Sequence, residues 1–175
     1  MKPTIICHRG WWTHPREQNT LGAFSRALDR GWGIEVDVRD LNGSLVVSHD
    51  PPSYSPDHWV TGKNGPALLF VAVLELVGDR PNTIAVNIKS CGLAEMVSKL
   101  KAPKNWFFFD MATNDKKEYD KYGLKENDIP MVISMEVFGD PDVFVLSQWD
   151  DVKARKEPCY LLTDRPYEAE LYFNT

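Results

Sequence analysis

Cysteine is scarce and scattered in this 175-residue chain: Cys7, Cys91 and Cys159 are odd in number, far apart, and form no CxxC pair. That pattern excludes a disulfide scaffold and a thiolate zinc site, and leaves buried free thiols as the expectation. Long apolar runs are missing as well. Nothing approaches the ~20 consecutive apolar residues of a membrane span, so no membrane insertion is expected. A basic surplus is also absent: 20 Lys and Arg against 25 Asp and Glu give a net charge of −5, which argues against a nucleic-acid partner. Neither a Walker pattern nor GxGxxG occurs, so any phosphate must be held by metal and side chains rather than by a glycine-rich loop. Met1-Lys2-Pro3-Thr4-Ile5-Ile6 leads straight into a predicted strand without the longer apolar region of a secretion signal, and a cytoplasmic location is the expectation.

What is present reads as alternating strand and helix. Short apolar, β-branched segments recur at 4–9, 33–40, 45–49, 83–89, 105–110, 130–135, 142–147 and 159–163. Several are separated by stretches of helical spacing, which makes the chain α/β. The clearest helix follows Asn19-Thr20, either of which can cap it, and puts Leu21, Phe24, Ala27 and Leu28 on one stripe before Gly31. A second follows Gly92, and a polar helix at 114–123 would lie on the solvent side. Residues 50–66 carry so many turn formers that they read as one long loop. Trp11, Trp12 and Trp59 fall near strand ends, where they can wall a cleft, whereas Trp32, Trp106 and Trp149 read as core or core-edge residues.

The chemistry collects at the ends of these strands. Glu35 and Asp37 are two apart, so both project from one strand face while Ile34, Val36 and Val38 take the other. An arbitrary Glu-x-Asp pair is most often a solvated strand face; flanking by three apolar residues argues instead for two buried acids, which a hard divalent cation would reconcile. Asn87 and Lys89 repeat the alternation in Thr83-Ile84-Ala85-Val86-Asn87-Ile88-Lys89. The amide oxygen can ligate a metal and the ammonium can neutralise a phosphate oxygen. His8 and His49 each close a strand, and two histidines flanking a phosphate would serve as general acid and general base. His14 and His58 sit in loop-like contexts and read as surface residues.

Taken in order, these residues resemble the glycerophosphodiester phosphodiesterase family. The pattern here is His8-Arg9-Gly10, Glu17-Gln18-Asn19-Thr20 with Ala23-Phe24, Glu35-Val36-Asp37, His49-Asp50-Pro51, and late in the chain Leu162-Thr163-Asp164-Arg165-Pro166. The resemblance implies a TIM-type (β/α)₈ barrel with a divalent metal, Mg²⁺ or Ca²⁺. It makes His8 and His49 catalytic, Glu35, Asp37 and Asn87 the metal ligands, and Arg9 and Lys89 the phosphate contacts. The implied reaction is hydrolysis of a glycerophosphodiester or related glycerol-phosphate compound through a cyclic phosphate, with a small-molecule phosphodiester as partner.

Two departures matter. The family usually has Glu-Ile-Lys where this chain has Asn87-Ile88-Lys89, a variant that resembles a subgroup associated with surface-polysaccharide synthesis. Losing that carboxylate weakens a metal site unless Asp110 or Glu136 substitutes, and it opens the alternative of a phosphate-ligand binding domain without turnover. A third possibility stops at the cyclic phosphate, as in the related sphingomyelinase D and phosphatidylinositol-cleaving phospholipase C enzymes. The second departure is length. Residues 1–175 form a single domain shorter than the ~250 residues of a full barrel, so an abbreviated barrel with a missing or shrunken unit near 136–158 is expected. An open barrel edge would need a covering loop or a homodimer.

Overall fold

A computed structural model describes residues 1–55, 58–60, 66–101, 103, 105–109, 113–124 and 128–175. The chain runs β1 (Thr4–Cys7), α1 (Leu21–Asp29), β2 (Gly33–Leu41), β3 (Ser44–Val47), β4 (Ser53–Ser55), β5 (His58–Val60), β6 (Leu68–Leu69), α2 (Phe70–Val77) and β7 (Ile84–Ile88). It continues through α3 (Ala94–Ser98), β8 (Trp106–Phe109), α4 (Thr113–Lys121), β9 (Met131–Ile133), α5 (Asp142–Ala154), β10 (Tyr160–Thr163) and α6 (Pro166–Asn174). Six strands form one parallel sheet in the order β8, β7, β2, β1, β10, β9. The far half of β2 turns back on β3 as an antiparallel hairpin, and β6 pairs with β3.

The sheet is strongly curled. Ile6, Ala85, Phe107 and Leu162 pack together on its inner face with Met131, Ile133 and Tyr160 around them. The Phe107 ring stacks on Tyr160 at 5.0 Å, although β8 and β10 are separated in the sheet by β7, β2 and β1. Only a sheet bent back on itself brings those rings together. The outer face carries Ile34, Val36, Val38, Ile84, Val86 and Phe108, which α1 and α2 cover with Phe24, Ala27, Phe70 and Val73. A separate outer layer joins Val145, Trp149 and Val152 of α5 to Leu161, Ala169 and Phe173. Each such large apolar side chain buried contributes about 2 kcal/mol, enough to hold the strands against a carboxylate-lined interior.

Four sequence expectations change. The segment 142–147 is helix, not strand: Val145, Trp149 and Val152 recur at helical spacing and bury one face, overriding the apolar run Val143-Phe144-Val145-Leu146. That helix makes β9–α5–β10 a complete unit between hydrogen-bonded neighbours, so the shortfall does not fall at 136–158. Among the described residues no ladder joins β8 to β9. The long loop at 50–66 contains a hairpin, with Ser53 opposite Val60 and Tyr54 opposite Trp59. The polar helix at 114–123 exists as α4, yet it buries Tyr119 against Phe108 rather than lying wholly outside. Trp32 and Trp149 are core, as their contexts suggested; the Trp59 side chain lies outside the described residues.

Candidate active site

The period of two along a strand decides where the acids go. In β2, Ile34, Val36 and Val38 pack under the helices, so Glu35 and Asp37 face inward, and both are fully buried. The β2–β7 register sets Glu35 beside Ala85 and Asp37 beside Asn87, which brings the amide to the acids. Asn87 donates from Nδ2 to Glu35 Oε1 at 3.0 Å, and the Arg9 backbone N–H donates to Glu35 Oε2 at 3.0 Å. Asp37 Oδ2 lies 3.0 Å from Arg9 Nε and accepts from Asn19 Nδ2 at 2.9 Å, while Lys89 Nζ stands 3.7 Å from Asp37 Oδ1.

This arrangement depends on a distorted backbone. Arg9 and Asn19 both have positive φ, 57° and 56°, and Asn19 N–H donates to the Arg9 carbonyl at 2.9 Å. Non-glycine residues hold that conformation only where surrounding structure enforces it. Here it aims the Arg9 N–H at Glu35 and the Asn19 amide at Asp37. Between them Gly10, at φ +86°, passes so close to α1 that a Cβ would lie 2.8 Å from Ala23 atoms.

Two carboxylates buried side by side repel, and the electrostatics reflect it. Burial, and then the Asp37 charge, push Glu35 up from 4.5 to about 7 despite the Asn87 and Arg9 hydrogen bonds. For His8, burial pulls the imidazole down, but its hydrogen bond to Asp164 and the charges of Glu35 and Asp164 outweigh that and raise it. The bond runs between His8 Nδ1 and Asp164 Oδ1 at 2.9 Å.

His49 is placed differently. The Ser48 N–H donates to the Asp37 carbonyl at 3.0 Å, tying the end of β3 to the acid pair. The His49 ring itself is 44% exposed and meets the neighbouring Asp50 at 2.9 Å. That contact, the leading influence on Asp50, holds its carboxyl below the usual range.

The structure thus joins Glu35, Asp37, Asn87, Arg9 and Lys89 in one contact network at the carboxyl ends of the parallel strands, with His8 beside it and His49 at its outer rim. Of the two substitute acids, Asp110 lies outside the described residues. Glu136 instead accepts hydrogen bonds from Ser134, Thr163 and the Asp164 N–H. Two further residues contact the site without a local sequence signal for it: Asn19, one of the two cap candidates of α1, whose cap is Thr20, and Asp164, which stands in the terminal motif. Two cavities, of about 590 and 610 Å³, open around Arg80 and Pro81 ahead of β7, and neither is lined by a histidine.

Among the described residues no three His, Cys, Asp or Glu side chains cluster to hold an ion. The donor set nevertheless suits a hard cation. Asp37 Oδ1, Asn87 Oδ1 and Asn19 Oδ1 are all buried oxygens with no hydrogen-bond donor, an uncommon and costly state for polar atoms away from water. With Glu35, Asp37 and Asn87 are the residues that would hold a divalent ion.

No family model matches the sequence, and no curated protein matches it. The structure is similar to that of a phosphodiesterase from Oleispira antarctica in complex with the product sn-glycerol-3-phosphate, with a TM-score of 0.68 and 14% sequence identity. The match covers 99% of this chain and 98% of that one. At that identity the likeness establishes a shared α/β fold.

Proposed function

We propose that the chain is a metal-dependent phosphodiesterase acting on a glycerophosphodiester or a related glycerol-phosphate compound. The observation that carries this reading is the fully buried Glu35–Asp37 pair, flanked by Arg9, Lys89 and the Asn87 amide at the carboxyl ends of parallel strands, where barrel enzymes assemble their sites. The fold shared with a phosphodiesterase that carries sn-glycerol-3-phosphate supports the same class.

The residues divide the work. Arg9 and Lys89 meet the phosphoryl oxygens and balance their charge, because both already lie against Asp37 at the site. A divalent ion held by Glu35, Asp37 and Asn87 would polarise those oxygens as charge develops on them. The neighbouring glycerol hydroxyl attacks phosphorus and gives its proton to one histidine; the other histidine protonates the departing alcohol oxygen as its bond to phosphorus breaks. Water then opens the cyclic phosphate with the histidine roles reversed. His8 is oriented for this by Asp164, which occupies Nδ1 and leaves Nε2 for the substrate.

The test is release of alcohol from glycerophosphocholine with Mg²⁺ or Ca²⁺, in parallel with chelator, His8→Ala and His49→Ala. Product only in the metal-loaded wild type supports the reading. Turnover that survives chelation and both substitutions overturns it, and phosphorus NMR of the product distinguishes full hydrolysis from arrest at the cyclic phosphate.

A second reading, phosphate-ligand binding without turnover, is favoured by Asn87, which brings an amide where the resembling family has an acid, and by the outward ring of His49. Binding of sn-glycerol-3-phosphate without turnover of any diester, unrescued by Asn87→Glu, would establish it.

A further inference from the structure

Glu136 follows β9 in a single 3₁₀ turn and has no part in the acid pair, yet it is tied to the end of β10 by an unusually complete set of bonds. The Trp149 indole N–H donates to Ser134 Oγ at 2.8 Å, so the Ser134 hydroxyl proton is left to donate to Glu136 Oε2. On the other side the Arg165 N–H donates to Thr163 Oγ1 at 3.0 Å, and the Thr163 hydroxyl proton goes to Glu136 Oε1. The Asp164 N–H donates to that same oxygen at 3.2 Å. Ser134 and Thr163 are both fully buried. One carboxylate therefore fastens the backbone of Asp164 to the end of β9, while the Asp164 side chain is left to hold His8 Nδ1 at 2.9 Å.

We infer that Glu136 is a positioning residue for His8, acting through Thr163 and Asp164 to select the imidazole tautomer and ring orientation. The inference rests on the proposed role of His8 in proton transfer. A histidine whose Nδ1–H is held by a carboxylate presents a bare Nε2 to substrate, and the partner behind such a contact is worth about 10–100-fold in function when it orients a metal-bound imidazole. Glu136 is one step further back. Its loss frees the Asp164 backbone, lets the carboxylate drift from Nδ1, and allows the Nε2–H tautomer to compete.

The experiment combines spectroscopy and kinetics on Glu136→Gln, Thr163→Val and Thr163→Ser. Histidine labelled with ¹⁵N is examined by long-range ¹H–¹⁵N correlation in chelator at alkaline pH, where the ring is neutral. Wild type and Thr163→Ser, which keeps the hydroxyl, are expected to show His8 as the Nδ1–H tautomer. Glu136→Gln and Thr163→Val are expected to show a mixture, with circular dichroism unchanged. With glycerophosphocholine and Ca²⁺, kcat falls about tenfold in those two variants while KM holds, at the low end for such an orienting contact. An unchanged His8 tautomer in folded Glu136→Gln and Thr163→Val overturns the inference, and if Glu136→Gln fails to fold the Thr163 pair decides alone. A wild type that releases no product defeats the phosphodiesterase reading instead, and leaves the tautomer comparison to stand or fall separately.

Discussion

Asn87 donates its amide to Glu35 across the β2–β7 ladder while its own Oδ1 is buried without a donor. The residue is thus half satisfied: it donates to one acid and keeps an acceptor oxygen buried without a partner. Replacing it by Glu supplies a third carboxylate and removes the donor. Without metal, Asn87→Glu is expected to destabilise by about 3 kcal/mol or more, because a buried charge then lacks a partner. With Ca²⁺ or Mg²⁺ present the added charge works the other way and tightens ion binding by about tenfold or more. Calorimetric titration of ion into both proteins checks this; equal or weaker affinity in the variant would show that position 87 does not face a cation.

The alternation that places Glu35 and Asp37 inward was legible in the sequence, because a period of two with three flanking aliphatics permits little else for a parallel strand. So were β1, β7 and β10, whose ends carry His8, Asn87 and Asp164. The contact of Asn19 with Asp37 was not, since it comes with a positive φ and a backbone bond from Asn19 N–H to the Arg9 carbonyl, neither of which the local sequence encodes. The Asp164–His8 contact bridges 156 residues and exists only because β1 and β10 are neighbours. In α5 the local signal pointed the wrong way: Val143 and Phe144 favour a strand but stay exposed, and the burial of Val145, Trp149 and Val152 decides the outcome.

Stability in chelator should fall as pH rises. Glu35 is raised from 4.5 to about 7, so the folded state binds the extra proton. That contribution is fully present below about 4.5 and is lost by about 7, amounting to something on the order of 3 kcal/mol. His8, also raised, acts in the same sense: its contribution is full below its ordinary 6.5 and fades as pH climbs through the higher folded value. The surface acids Glu17, Asp29, Asp50 and Glu95 are lowered and act oppositely, but below this window. Thermal midpoints across the range should therefore decline with pH in wild type, and Glu35→Gln should remove most of the slope. Saturating Ca²⁺ should flatten it too, since a bound cation favours the ionised acid. A midpoint that rises across the same window would contradict the assigned environment of Glu35.

His49 offers a separation of chemistry from folding. Its ring is 44% exposed and its partner is the exposed Asp50, so His49→Ala should change stability by less than about 0.5 kcal/mol. If it shuttles a proton, kcat should nonetheless drop by about 10²–10⁴-fold. Denaturant melts and turnover of glycerophosphocholine, measured on the same preparation, make the comparison. Full activity in His49→Ala would remove this residue from the mechanism and leave His8 to act with another group.

Gly10 tests whether the distorted turn at the site is structural in origin. At φ +86° it occupies a conformation that disfavours any side chain, and an added methyl would lie 2.8 Å from the Ala23 carbonyl carbon and Cβ. Gly43, at φ +77° in the β2–β3 turn, shares the backbone conformation but has nothing within 4 Å of the same position. Gly43→Ala should therefore cost only the conformational penalty, about 1 kcal/mol, whereas Gly10→Ala must also push α1 away from β1 and should cost at least about twice that. Because that shift moves Arg9 and Asn19, the contacts to Glu35 and Asp37 loosen together, and ion affinity should fall with stability in Gly10→Ala alone. Equal losses of stability at the two glycines would mean that the packing of α1 on this turn does not hold the acids in place.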